Sequence, residues 1–121
     1  MEIKTSELIG AALDWAVAKA EGYQAVYTNR SISPVFRPGE SVVDLATLRY
    51  STDWAQGGPI VEREIQERRM LMSKRGDTCE AVYPEGPIWG TYYGPTPLIA
   101  AMRCYVASEL GDVVEIPEEL T

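Results

Sequence analysis

An α+β fold, in which a small antiparallel sheet carries two helices packed on one face, is predicted by three features of this chain. An Ala- and Leu-rich helical run stands near the start, extended runs separated by turn residues fill the second half, and a capped helix follows them. At 121 residues and 45% apolar content the chain reads as one domain, able to bury a single core without staples.

The first helix is predicted over residues 6 to 21. Leu8, Ala11, Ala12, Trp15 and Ala18 form one stripe, which Ile9, Leu13, Ala16 and Ala20 broaden. Thr5 suits the N-cap, Glu7 the first turn and Gly22 the end. Trp15, on the apolar stripe, reads as core more readily than as a ligand-stacking residue. Residues 24–28 suit a short strand, and residues 31–40, with Pro34, Pro38 and Gly39, suit a loop. Residues 41–48 fit a short helix capped by Ser41 as well as a strand.

Gly57-Gly58-Pro59 predicts a tight connection into an extended run over residues 60–73, interrupted near Ile65-Gln66. A turn at Lys74-Arg75-Gly76-Asp77 and a strand over 78–83 complete a hairpin, and residues 88–93, with Trp89, Tyr92 and Tyr93, suit a further strand. The closing helix is predicted from Pro97 to about Leu110, ending at Gly111, and the tail over 116–121 is expected to fray.

Composition narrows the chemistry. Histidine is absent, which removes the commonest general base, the Ser-His and Cys-His pairs and nearly all zinc sites. What survives of catalysis rests on carboxylates, Asp53 with Glu62 or Glu64, as an acid/base pair or as ligands for a hard divalent cation. Nothing beyond closeness in sequence supports that use, so no catalytic residue, metal or cofactor is assigned. A net charge of −7 opposes binding to duplex nucleic acid. The basic residues Arg63, Arg68, Arg69, Lys74 and Arg75 are interleaved with Glu62, Glu64, Glu67 and Asp77 and read as a solvated mixed-charge face. No apolar run reaches the length of a membrane span, the N-terminus lacks the pattern of a signal peptide, and Cys79 and Cys104 read as reduced buried thiols.

Two segments are equipped to bind. In the run from Gly94 to Arg103, Thr96 suits an N-cap and Pro97 the first helical position. The amides of Leu98, Ile99 and Ala100 then point out of the helix start, and Arg103 leans back toward them, so that a phosphate or carboxylate fits there. The bland alternative is a capped core helix with a surface Arg. In the second segment, Asp53 and Gln56 supply polar groups, Gly57 and Gly58 permit close approach, and Trp54, or Tyr93 from the neighbouring strand, stacks on a base. Here the bland alternative is a turn satisfied by its own side chains over a packed Trp54.

Three stretches, residues 7–19 with Ala-Leu-Asp-Trp-Ala-Val-Ala-Lys, residues 50–64 with Ser51-Thr52-Asp53-Trp54-Ala55-Gln56-Gly57-Gly58-Pro59-Ile60, and residues 94–117 with Ala107-Ser108-Glu109-Leu110-Gly111-Asp112, resemble the NinX family of tailed-phage proteins. The resemblance covers somewhat under half of the chain. It implies a phage or prophage product in the host bacterial cytoplasm and supplies no activity, the family being a domain of unknown function. Small acidic phage proteins act on host pathways by sequestering a signal molecule or by binding a host protein. The leading expectation is therefore a non-enzymatic accessory protein that binds a small anionic, nucleotide-derived ligand in counter-defence. The alternative is an interaction module that docks on a basic host protein. A site within one chain and a site across a homo-oligomer interface fit the same segments.

Overall fold

The computed structural model describes residues 1–27, 32–36, 47–85 and 90–120. Its elements begin with strand β1 (Glu2–Lys4), a 3-10 turn at Thr5–Glu7 and helix α1 (Gly10–Ala20), followed by the antiparallel pair β2 (Gln24–Tyr27) and β3 (Ile32–Phe36). Helix α2 (Trp54–Arg68) leads into β4 (Leu71–Arg75) and β5 (Thr78–Val82), and β6 (Tyr92–Gly94) leads into α3 (Pro97–Leu110) and β7 (Val113–Glu115).

The fold is α+β, as predicted. The sheets are antiparallel and small: β4-β5-β6 form one of three strands, while β1 with β7 and β2 with β3 form two-stranded ones. Helix α3 is the centre of the molecule. It packs on β4, β5 and β6 on one side and touches α1 and α2 on others. Residues on every side of it are buried, among them Leu98, Met102, Cys104, Tyr105 and Val106, as expected of a helix with no solvent face. Cys79 and Cys104 are free and buried, and burial pushes the Cys104 thiol up to about 12, which disfavours the reactive thiolate.

The hairpin forms where expected. Arg75 pairs with Thr78 across Gly76-Asp77, and Gly76 takes a φ of 60°, the left-handed geometry that a two-residue turn requires. Several other expectations are corrected. The first helix starts at Gly10 rather than residue 6, because Thr5 directs its hydroxyl to the Gly111 carbonyl at 2.7 Å instead of capping, and Leu8 and Ile9 are extended. Residues 32–36 form a strand despite Pro34, since a two-stranded ribbon leaves every residue on an edge. The tail does not fray at its start: Val114 pairs with Ile3, and Ile116 is fully buried. Residues 37–46, and with them most of the ambiguous 41–48 stretch, lie outside the described residues, as does Trp89.

The largest correction concerns residues 54–68, which are helical through Gly57-Gly58-Pro59. Asp53 caps this helix by accepting from the Ala55 amide at 2.9 Å. Gln56 ties the same turn to the preceding chain, accepting from the Arg49 amide at 2.7 Å and donating to the Thr47 carbonyl at 2.9 Å. Ile60 and Glu64 then face inward at helical spacing, and Val61, also buried, borders the outer side. Extended chain begins only at Leu71, after Arg69 closes the helix in the left-handed region at a φ of 57°.

Candidate functional site

The start of α3 is capped as its sequence predicts. The Thr96 hydroxyl accepts from the Ile99 amide at 3.1 Å, and the Thr96 carbonyl accepts from the Ala100 amide, also at 3.1 Å. Those two amides are therefore engaged inside the helix. Leu98, Ile99 and Ala100 are all buried, and Gly94 lies against the turn so closely that a Cβ there would meet the Ala100 nitrogen at 2.8 Å. Thr96 and Pro97 at the helix start are exposed, whereas the three residues whose amides would face an anion are buried.

Arg103 is engaged by backbone carbonyls. Its Nε donates to the Leu8 carbonyl at 2.8 Å and its Nη1 to the Tyr93 carbonyl at 2.7 Å, which joins α3 to the segment before α1 and to β6. Partial burial lowers its pKa from the usual guanidinium range. Tyr93 itself keeps 46% of its surface exposed.

The second predicted segment divides between the two faces of α2. Asp53 and Gln56 are engaged in capping, and Gly57 is buried, its Cα facing the Tyr50 carbonyl and the Leu98 side chain. The two predicted segments are thus neighbours, joined by a packed contact between Gly57 and Leu98. Trp54 and Gly58 lie on the outer side, together with Ala55, Pro59, Val61, Glu62, Ile65 and Gln66, along an open groove of about 560 Å³. Trp54 is 53% and Ile65 45% exposed, which makes this the chief apolar stretch of α2 facing solvent.

The inner side of α2 holds a polar cluster. Glu64, only 2% exposed, accepts from the Tyr83 hydroxyl at 2.6 Å, from Arg68 at 3.0 Å and from Arg63 at 3.2 Å. Arg63 also forks onto Glu21 at 2.8 and 3.2 Å, and Glu21 in turn accepts from the Tyr105 hydroxyl. The guanidinium of Arg68 stacks 4.5 Å from the Tyr83 ring centre and reaches Glu109 at 2.8 Å. Burial, with the bond to Glu64, raises the Tyr83 pKa far above the phenol range, so its hydroxyl stays a donor. Every group in this cluster has a partner, and it joins α2 to α1, β5 and α3 as a structural clasp.

The three carboxylates considered for catalysis occupy three environments. Asp53 caps α2, Glu62 lines the outer groove and accepts from Gln66 at 3.3 Å, and Glu64 is enclosed by the clasp. Among the described residues no three His, Cys, Asp or Glu side chains gather where they would hold a metal ion.

A family model described as bacteriophage P22 NinX matches residues 4–109, most of the chain. The chain belongs to the NinX family. No curated protein matches it. The match covers α1, α2 and all of α3 but its last residue in this NinX family member, the outer groove and the clasp included. Among its described residues no helix is long and apolar enough to cross a membrane. Ile65 and the clasp were missed in the sequence because both depend on residues 60–68 being helical. With that period in hand, Trp54 and Ile65 share a face, and Arg63, Glu64 and Arg68 converge on another.

Proposed function

We propose that this phage protein acts by binding rather than by catalysis, and that its contact surface is the outer face of α2, which docks on a protein of the bacterial host. The observation that carries this reading is the pair of exposed apolar side chains, Trp54 and Ile65, flanking one groove. A solvated tryptophan on a helix is a common anchor for a protein partner, because a large rigid ring buries much area at little conformational cost. The charge of −7 favours a basic partner and steers its approach.

Sequestration of a small anionic, nucleotide-derived ligand is the second reading. Trp54 and Tyr93 remain exposed enough to stack on a base. Against it, Asp53, Gln56, Thr96 and Arg103 all have intramolecular partners that an anion would have to displace.

Site-specific photo-crosslinking in the host cell tests the docking reading. A photoreactive residue at position 54 or 65 should form an adduct with one host protein, while the same residue at Asp77, in the exposed hairpin turn, should form none. Equal adducts at all three positions overturn the reading. A thermal-shift panel of mono-, di- and cyclic nucleotides separates the second reading, since a ligand at ~100 times its Kd adds about 2.7 kcal/mol, a shift on the order of 10 °C in a domain of this size. The docking reading expects a flat panel.

A further inference from the structure

Resting on the docking reading above, we infer that the occupant of the α2 face is a basic amphipathic helix lying along it. The face is a stripe of Trp54, Gly58 and Ile65 with the buried Val61 at its floor, and the steps of four, three and four residues are those of a helix-pairing seam. It runs three turns, about 16 Å at 1.5 Å per residue, the length that three or four anchors of a partner helix span. The profile is a dip between two ridges. Trp54 and Ile65 stand out at the ends, and a Cβ built at Gly58 would meet only the Trp54 ring edge, at 3.6 Å, so a second helix can approach closely between them.

An extended segment fits this face less well. A strand docks by completing the hydrogen bonds of a sheet edge, and the amides of a helix are already bonded within it. Charge complementarity sets the partner's sign. Among the described residues Glu62 is the one charged side chain lining the groove, it is exposed, and it belongs to a chain of net charge −7. A Lys or Arg of the docked helix facing Glu62 meets an opposite charge, whereas an acidic residue there is repelled.

Three labelled synthetic peptides of about 15 residues test this by fluorescence anisotropy with the intact protein. The first carries Leu at helix-seam spacing and Lys or Arg elsewhere, the second replaces its basic residues with Glu, and the third places two prolines in the middle of the first. The basic helical peptide should bind with a Kd in roughly the micromolar range, fitting a face smaller than a standard interface. Trp54→Ala should weaken it about tenfold or more, and Glu62→Gln should weaken it several-fold and flatten its salt dependence. The other two peptides should bind at least ~10-fold more weakly. If the proline peptide binds equally well and still depends on Trp54, the helical occupant is wrong while docking on α2 stands. Equal binding of the acidic peptide overturns the basic chemistry. Absence of binding by the basic helix, or binding indifferent to Trp54→Ala and Ile65→Glu, overturns the inference, and the docking reading is then decided by the crosslinking at positions 54 and 65.

Discussion

Arg103 holds two carbonyls, of Leu8 and Tyr93, that belong to parts of the chain far apart in sequence. Truncation to Ala leaves both without their donor, and a hydrogen bond to a charged group is worth about 1.5–3 kcal/mol. Arg103→Ala should therefore destabilise the protein by roughly 2 kcal/mol in urea unfolding, whereas a purely ligand-binding role predicts no change. Glu64 is a stronger case. Glu64→Gln removes the charge shared by three donors, but Arg63 and Arg68 are partly exposed and keep Glu21 and Glu109, so the expected cost is about 2–3 kcal/mol, with Tyr83→Phe nearer ~1 kcal/mol. Asp14 supplies the pH dependence. It accepts from the Ser51 amide at 2.8 Å, yet burial raises its pKa above the ordinary carboxylate value. A carboxyl with a raised folded-state pKa contributes stability below its unfolded pKa, near ~4, and loses that contribution as pH rises through the folded value. Asn keeps the acceptor and removes the charge. The Tm of Asp14→Asn relative to wild type should rise between pH 4 and pH 7, and a constant difference would show that Asp14 is solvated.

At the scale of elements, α2 shows which signals a sequence carries and which it hides. Gly-Gly-Pro is ordinarily turn punctuation, and Pro59, the sixth residue of α2, forgoes the bond an amide there would make to the Ala55 carbonyl, while the two glycines do different things. Gly57 permits a close approach: a Cβ there would stand 2.2 Å from the Tyr50 oxygen and 2.8 Å from Leu98 Cδ1. Gly58 is half-buried on the outer side, with space for a methyl group. Gly57→Ala should lower Tm by several degrees or prevent folding, while Gly58→Ala should be neutral or stabilising by up to ~1 kcal/mol, since Ala is the better helix former. Equal effects at both positions would mean that α2 does not pack as described. The helix start was legible in principle, because Asp53 is a standard cap, but its end was not: Arg69 occupies the left-handed position where a glycine would have announced a stop. By contrast α3, with Thr96, Pro97 and Gly111 in place, and the Gly76 hairpin were fully legible.

Over the whole molecule, the α+β class and the buried centre followed from composition and periodicity, while the pairing of β1 with β7 did not, since strands of three residues carry no period. The binding residues divided along the same line. Thr96 caps as its sequence says, but the tertiary contacts that pack Gly94 against the Ala100 nitrogen and engage Arg103 with the Leu8 and Tyr93 carbonyls carry no sequence signal. Trp54 was legible as a candidate, and its true neighbour, Ile65, became visible only once the intervening residues were seen to be helical. The contact surface proposed for this NinX family member is accordingly the outer face of α2, while Leu98, Ile99 and Ala100 in the first turns of α3 are buried. The most direct measurement of that placement is quantitative enrichment of host proteins on immobilised wild type, on Trp54→Ala with Ile65→Glu, and on Thr96→Ser, each first shown to be folded by its melting curve. A host protein retained by wild type and by Thr96→Ser and reduced at least ~10-fold by the paired α2 substitutions is the expected result. Retention unchanged by the α2 substitutions contradicts it.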